Sequence, residues 1–231
     1  MAVGDVLDTD AIVERLRASA EPPYLAMLGR LNIDPSRSLG VRMPVLRAIA
    51  KELGKDHSLA QELWARGMTE TMILAAMVDP PEAVTAEQMD SWVEGIRDWA
   101  VCDQTVGYLF RKTSYAHVKA REWIERDEEF VRRAGMVLMA SLAVHDKGAE
   151  DGIFIEYLGL VEGKADDPRR YVMKAASWAV RQIGKRNVYL NQEAIAAAER
   201  IGRRDTRSAR WIATDALREL RGEAVRARLT A

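Results

Sequence analysis

Met43-Pro44-Val45-Leu46-Arg47-Ala48-Ile49-Ala50-Lys51-Glu52-Leu53-Gly54 reads as one complete amphipathic helix. Pro44 stands where the first turn tolerates a residue without an N–H. Leu46, Ile49, Ala50 and Leu53 recur at helical spacing along one face, and Gly54 closes the segment. The same grammar runs outward in both directions. Upstream, Ala11-Ile12-Val13 with Leu16 begins a helix capped by Thr9 or Asp10. Pro22-Pro23 opens a second, with Tyr24, Leu25, Leu28 and Leu31 in register. Downstream, helices are expected over Ser58 to Ala65, Thr69 to Val78, Thr85 to Ile96, Trp99 to Phe110, Ser114 to Arg126 and Glu128 to Val144. Glu150 to Leu160, Asp167 to Gly184, Gln192 to Ile201, Thr206 to Leu220 and a short tail helix complete the series. Strand signals are almost missing: no Asn-Gly or Asp-Gly turn separates alternating runs.

About a dozen short helices joined by brief breaks fit antiparallel neighbours. Their pair period of roughly 35–45 residues matches degenerate HEAT-type repeats. The expected fold is therefore all-α, a right-handed α-solenoid of HEAT-like helix pairs, curved with a concave face where aromatic and basic residues would gather. Residues 1–231 are read as one repeat domain: an N-terminal helix in 1–21, the solenoid over 22–221 and a tail over 222–231.

Composition narrows the function. The chain has 231 residues, of which 48% are hydrophobic, enough for a sizeable core. It lacks a run of 18 apolar residues, and Met1 to Asp10 does not read as a secretory signal. One cysteine, Cys102, excludes a disulfide framework and a cysteine-based zinc cage. His57, His117 and His145 have no ligand spacing, so no metal or other cofactor is expected. The expected setting is the reducing cytoplasm. Net charge is −1, but Pro168 to Ala231 holds 15 Lys and Arg against 6 Asp and Glu. That asymmetry points a basic C-terminal third at a polyanion. The alternative is that Arg-rich helices are solvated faces.

Two segments combine Trp with charge at helical spacing. In Trp99-Ala100-Val101-Cys102-Asp103 the Trp and Asp are i, i+4. In Lys174-Ala175-Ala176-Ser177-Trp178-Ala179-Val180-Arg181 the Trp lies four after Lys and three before Arg. Such residues share a helix face. A core face would have to desolvate the charge, whereas a cleft can use it. Trp64, Trp92, Trp123 and Trp211, by contrast, are expected in the core. Cys102 points about 100° away from Asp103 and is expected to be a small buried side chain.

These residues resemble a known family. Leu39-Gly40-Val41-Arg42-Met43-Pro44-Val45-Leu46-Arg47 is similar to the N-terminal signature of the bacterial DNA alkylation repair family, the AlkD-like glycosylases built from HEAT-like repeats. Trp99 to Asp103 resembles its Trp-x-x-x-Asp. Phe130-Val131-Arg132-Arg133-Ala134-Gly135 resembles its next helix, and Lys174-Ala175-x-x-Trp178-x-x-Arg181 its late Lys-Ala-x-x-Trp-x-x-Arg helix. The matches fall in order over Tyr24 to Leu217. Between Trp99 and Asp103 this chain has Ala100-Val101-Cys102, where well-known members carry a more polar insert.

The resemblance implies excision of cationic alkylated purines, such as 3-methyladenine and 7-methylguanine, from duplex DNA by a monomer. Neither metal nor cofactor takes part, and the lesion need not be flipped into a pocket. It implies Asp103 as the catalytic carboxylate and Trp99 and Trp178 as cleft aromatics against the lesion's sugar and backbone. Arg133 would lie near the phosphates, and Tyr24 would be a further cleft aromatic. Lys174 and Arg181 would hold backbone or structure, and Arg207 and Arg210 on the basic C-terminal helices would add phosphate contacts. The family also contains members with little excision, so the competing expectation is a non-catalytic HEAT-like module that binds DNA or a protein partner.

Overall fold

In the computed structural model, which describes residues 8–230, every regular element is helical. Among the described residues the α-helices are α1 (Thr9–Ala18), α2 (Pro22–Arg30), α3 (Met43–Leu53), α4 (His57–Ala65), α5 (Thr69–Val78), α6 (Ala86–Gly95) and α7 (Trp99–Tyr108). They continue with α8 (Ala116–Glu125), α9 (Glu129–His145), α10 (Asp151–Gly163), α11 (Arg170–Gly184), α12 (Val188–Gly202), α13 (Arg207–Leu220) and α14 (Glu223–Thr230). The stretch that reads as one helix from its proline to its glycine is α3, and Gly54 leaves it at φ 74°. None of these helices is long and apolar enough to cross a membrane.

The chain divides into two compact units, one running to Trp92 with Arg97–Thr113, the other Val93–Ile96 with Ser114 onward. In the first, α5 is the core: every residue from Thr69 to Val78 is buried. A helix apolar all round needs neighbours on all sides, and α3, α4 and α7 supply them. Its one carboxylate, Glu70, is 1% exposed. It accepts from the Ser38 hydroxyl at 2.8 Å and from the amides of Leu39, Gly40 and Val41 at 2.8, 2.8 and 3.1 Å. Beside this helix, Trp64 stacks on the buried Trp92 with ring centroids 4.0 Å apart.

In the second unit, α9 plays the central part, buried without a break from Arg133 to Ala143. Gly135 lets α8 approach closely, since a Cβ there would lie 2.7 Å from the Ile124 amide nitrogen. Each of α8 to α11 is also bonded to the next helix but one at a recurring register. Arg121 of α8 pairs with Glu156 of α10, 35 residues on. Arg133 of α9 meets Tyr171 of α11, Glu162 of α10 meets Arg200 of α12, and Ser177 of α11 meets Asp215 of α13, each 38 residues on. That spacing is the helix-pair repeat expected from the sequence. Of the four tryptophans expected inside, Trp92 and Trp123 are buried, Trp64 is half-buried and Trp211 is 38% exposed. The buried stripe of α13 runs through Ala209, Ile212, Ala213 and Ala216, which leaves Trp211 outside it.

Candidate active site

In the first unit the candidate residues are set by the start of α7. Asp98 caps the helix, accepting from the Ala100 and Val101 amides at 2.8 and 2.9 Å and from the Thr69 hydroxyl at 3.3 Å. Burial pushes the Asp98 carboxyl above its ordinary range, and these bonds work against that shift. The cap fixes the turn on which Trp99 stands. Val101, Cys102, Thr105 and Val106 are buried, while Trp99, Asp103 and Gln104 are half-buried on the opposite side. The 99–103 spacing therefore does put ring and carboxylate on one accessible face. Trp99 is held edge-on: its Nε1–H donates to the Leu31 carbonyl at 3.0 Å, at the end of α2.

Tyr24 sits at the other end of α2, half-buried, with the Arg42 guanidinium 4.9 Å over its ring. Arg42 in turn donates to both carboxylate oxygens of Glu21 at 2.9 and 2.8 Å. The loop carrying Arg42 is the one that Glu70 gathers. It turns at Gly40, whose φ of 77° suits glycine alone, and a Cβ there would meet the Leu25 Cβ at 2.8 Å. Glu70 and Asp98 are the two positioning residues that motif reading missed. Asp98 was open to discovery, as a capping residue immediately before a helix. Glu70 bonds mostly to backbone amides, which leave no mark in sequence.

In the second unit, Lys174, Trp178 and Arg181 lie along α11: Lys174 exposed, Trp178 and Arg181 half-buried. Arg181 is engaged internally, with Nη1 on Glu219 at 2.5 Å and Nε 3.5 Å from Asp215. Arg133 is 5% exposed; it donates to the Tyr171 carbonyl at 2.7 Å, and its guanidinium carbon lies 6.0 Å from the Tyr171 ring centre. Phe130 flanks the same ring at 5.6 Å. The Tyr171 hydroxyl is buried with no hydrogen-bond partner among the described residues. Arg132, the neighbour of Arg133, donates to Asp167 at 2.8 Å and to Asp127 at 3.0 Å. Arg207 and Arg210 are both exposed, and Arg210 pairs with Asp205 at 2.7 Å. Among the described residues no group of three or more His, Cys, Asp or Glu could hold a metal ion.

Stacked helix pairs at a register of 38 residues make this a HEAT-like repeat protein. A solved structure with the same fold superposes at a TM-score of 0.79, with 20% identity over 96% of both chains. It is described as a new family of proteins related to the HEAT-like repeat DNA glycosylases with affinity for branched DNA structures. The model of the DNA alkylation repair enzyme family matches residues 12–220, and the chain belongs to that family. It is also similar to the uncharacterized protein Lin0241 of Listeria innocua, 26% identical over 139 residues. That match spans 58% of this chain and 60% of the Listeria protein.

Proposed function

We propose that this protein is a DNA glycosylase that hydrolyses the N-glycosidic bond of positively charged alkylated purines in duplex DNA. The observation that carries the reading is the accessible face of α7, where Trp99 and Asp103 stand one turn apart while Val101 and Cys102 are buried behind them. A purine alkylated at N3 or N7 already carries the charge of a good leaving group, so its departure needs no strong acid. Positive charge then develops on the sugar as the bond breaks. A fixed carboxylate beside the anomeric carbon stabilises that charge and orients the attacking water. The negative face of an indole attracts a cationic group, worth about 0.5–2 kcal/mol per contact. In this reading Asp103 acts on the sugar with Trp99 packed against it, and Trp178 offers an aromatic surface on the second unit. Tyr24 offers a further aromatic surface. Lys174, Arg207 and Arg210 hold phosphates without reading sequence. Arg133 and Arg181, being bonded within the protein, position α9 and α11 and lend positive potential.

The test is release of 7-methylguanine from methylated duplex DNA. Wild-type protein is expected to release it, and Asp103→Asn to lower the single-turnover rate by about 100-fold or more. Absence of release by the wild type, or an unchanged rate in Asp103→Asn, overturns the proposal.

A second reading is favoured by those same internal arginine bonds and by the affinity for branched DNA ascribed to the structural neighbour. Here the protein binds DNA, including branched DNA, without cutting it. Salt-sensitive binding of a four-way junction with no base release would select this reading.

A further inference from the structure

α11 and α13 run in the same direction and are joined by a seam of side chains. At its C-terminal half the seam is closed. Ser177 donates to Asp215, Arg181 contacts Asp215 and Glu219, and Lys185 contacts Glu219. The register is 38 residues in both the Ser177–Asp215 and Arg181–Glu219 contacts. One turn toward the N-termini, the acidic row of α13 is interrupted. The residue four before Asp215 is Trp211, opposite Met173 at the same register. The seam opens there into a cleft of about 800 Å³ lined by Arg170, Met173, Lys174, Arg207 and Trp211, among others.

Three basic residues beside the cleft are spoken for: Arg169 by Asp167, Arg204 by Asp166, Arg210 by Asp205. Arg170, Lys174 and Arg207 make no ion pair or side-chain hydrogen bond among the described residues. The acid in the lining, Asp166, is occupied by Arg204 and by the Thr206 hydroxyl, which hold its carboxyl below the ordinary range. Three uncompensated cations thus surround an indole that is 38% exposed. Cations alone would serve any polyanion. An aromatic face among them adds a demand for a planar group attached to the anion.

We infer that this cleft is a single-strand subsite: an unpaired DNA base stacks on Trp211 while the adjoining phosphates sit on Arg170, Lys174 and Arg207. It rests on the DNA-binding part of the proposal above and extends it to single-stranded segments such as a splayed end or flap. Stacking on an indole tolerates any base, and the cations follow the backbone, so the subsite takes strands without regard to sequence.

The experiment is fluorescence anisotropy of the full chain with a labelled oligothymidylate and with an abasic strand of equal length. The wild type is expected to hold the oligothymidylate about tenfold more tightly. Trp211→Ala is expected to lose that preference and Trp211→Phe to keep most of it. Lys174→Ala and Arg207→Ala should each lower the slope of log affinity against log salt by about 0.7. Equal wild-type affinity for the two strands, or a preference that survives in Trp211→Ala, overturns the subsite. The excision assay on methylated duplex reads Asp103 chemistry instead, so each idea can fail while the other stands.

Discussion

The Trp99 indole N–H donates to the Leu31 carbonyl at 3.0 Å, tying the first residue of α7 to the C-terminal cap of α2. The bond uses the edge of the ring, so it fixes the ring's orientation without consuming either face. Trp99→Phe keeps an aromatic face and removes the donor. The loss of one such bond is expected to cost about 0.5–1.5 kcal/mol, a Tm decrease of roughly 2–4 °C per kcal/mol in a chain of this size. Excision should fall about tenfold as the ring loses its fixed pose, and further in Trp99→Ala. Differential scanning fluorimetry and single-turnover kinetics on methylated duplex check both parts.

Asp98 holds the turn beneath that ring. Asp98→Ala removes the acceptor for the Ala100 and Val101 amides and is expected to destabilise by about 1–2 kcal/mol. Asp98→Asn keeps a capping oxygen and should recover most of the loss. Denaturant titration of the three proteins gives the comparison; Asp98→Asn as unstable as Asp98→Ala would count against the cap as the cause.

The Tyr171 hydroxyl is buried without a partner among the described residues, and such a group costs about 1–3 kcal/mol of desolvation. Tyr171→Phe keeps the ring beside Phe130 and Arg133 and removes the penalty. The expected result is a Tm equal to or above that of the wild type, read in a thermal melt. A clear decrease would mean that the hydroxyl has a partner in solution.

Asp167 contributes to acid stability in the second unit. Burial pushes its carboxyl up, but bonds from Arg169 and Arg132 outweigh that and hold it at about 2. A folded-state value below the ordinary one, about 3.9, stabilises the native state above that pH. The contribution is lost as pH falls through the folded value. Asp167→Asn should therefore lower Tm at pH 7, and its gap to the wild type should close between about pH 4 and pH 2. Melts of both proteins across that range check it; a gap that stays constant argues against the carboxylate's charge.

Much of this was readable in sequence, because helix boundaries are chemical signals. Pro44 and Gly54 mark α3 to within a residue of where it lies. The start of α12 was expected at Gln192 but lies at Val188, because Asn187 caps it, accepting from the Leu190 amide at 2.8 Å. Trp211 was misjudged on residue type; the stripe Ala209, Ile212, Ala213 and Ala216 would have put it outside the core. At the site, the shared face of Trp99 and Asp103 follows from helical spacing alone. Which of Arg132 and Arg133 would meet a phosphate does not, since both find internal acceptors supplied by distant segments. Backbone carbonyls and amides are the same at every position, so contacts made to them are invisible before the chain is folded.

The Glu70 carboxylate joins the loop before α3 and the core helix α5 into one cooperative unit. It reaches back 29 to 32 residues to the hydroxyl and amides of Ser38 to Val41. Until α5 is packed, those amides have only water to bond. The bend at Gly40 and the Arg42 stacked on Tyr24 then lack their anchor. The stability of this wall of the first unit is thus coupled to its core helix. Native-state hydrogen exchange should show the amides of Leu39, Gly40 and Val41 opening with α5 rather than as a loose loop.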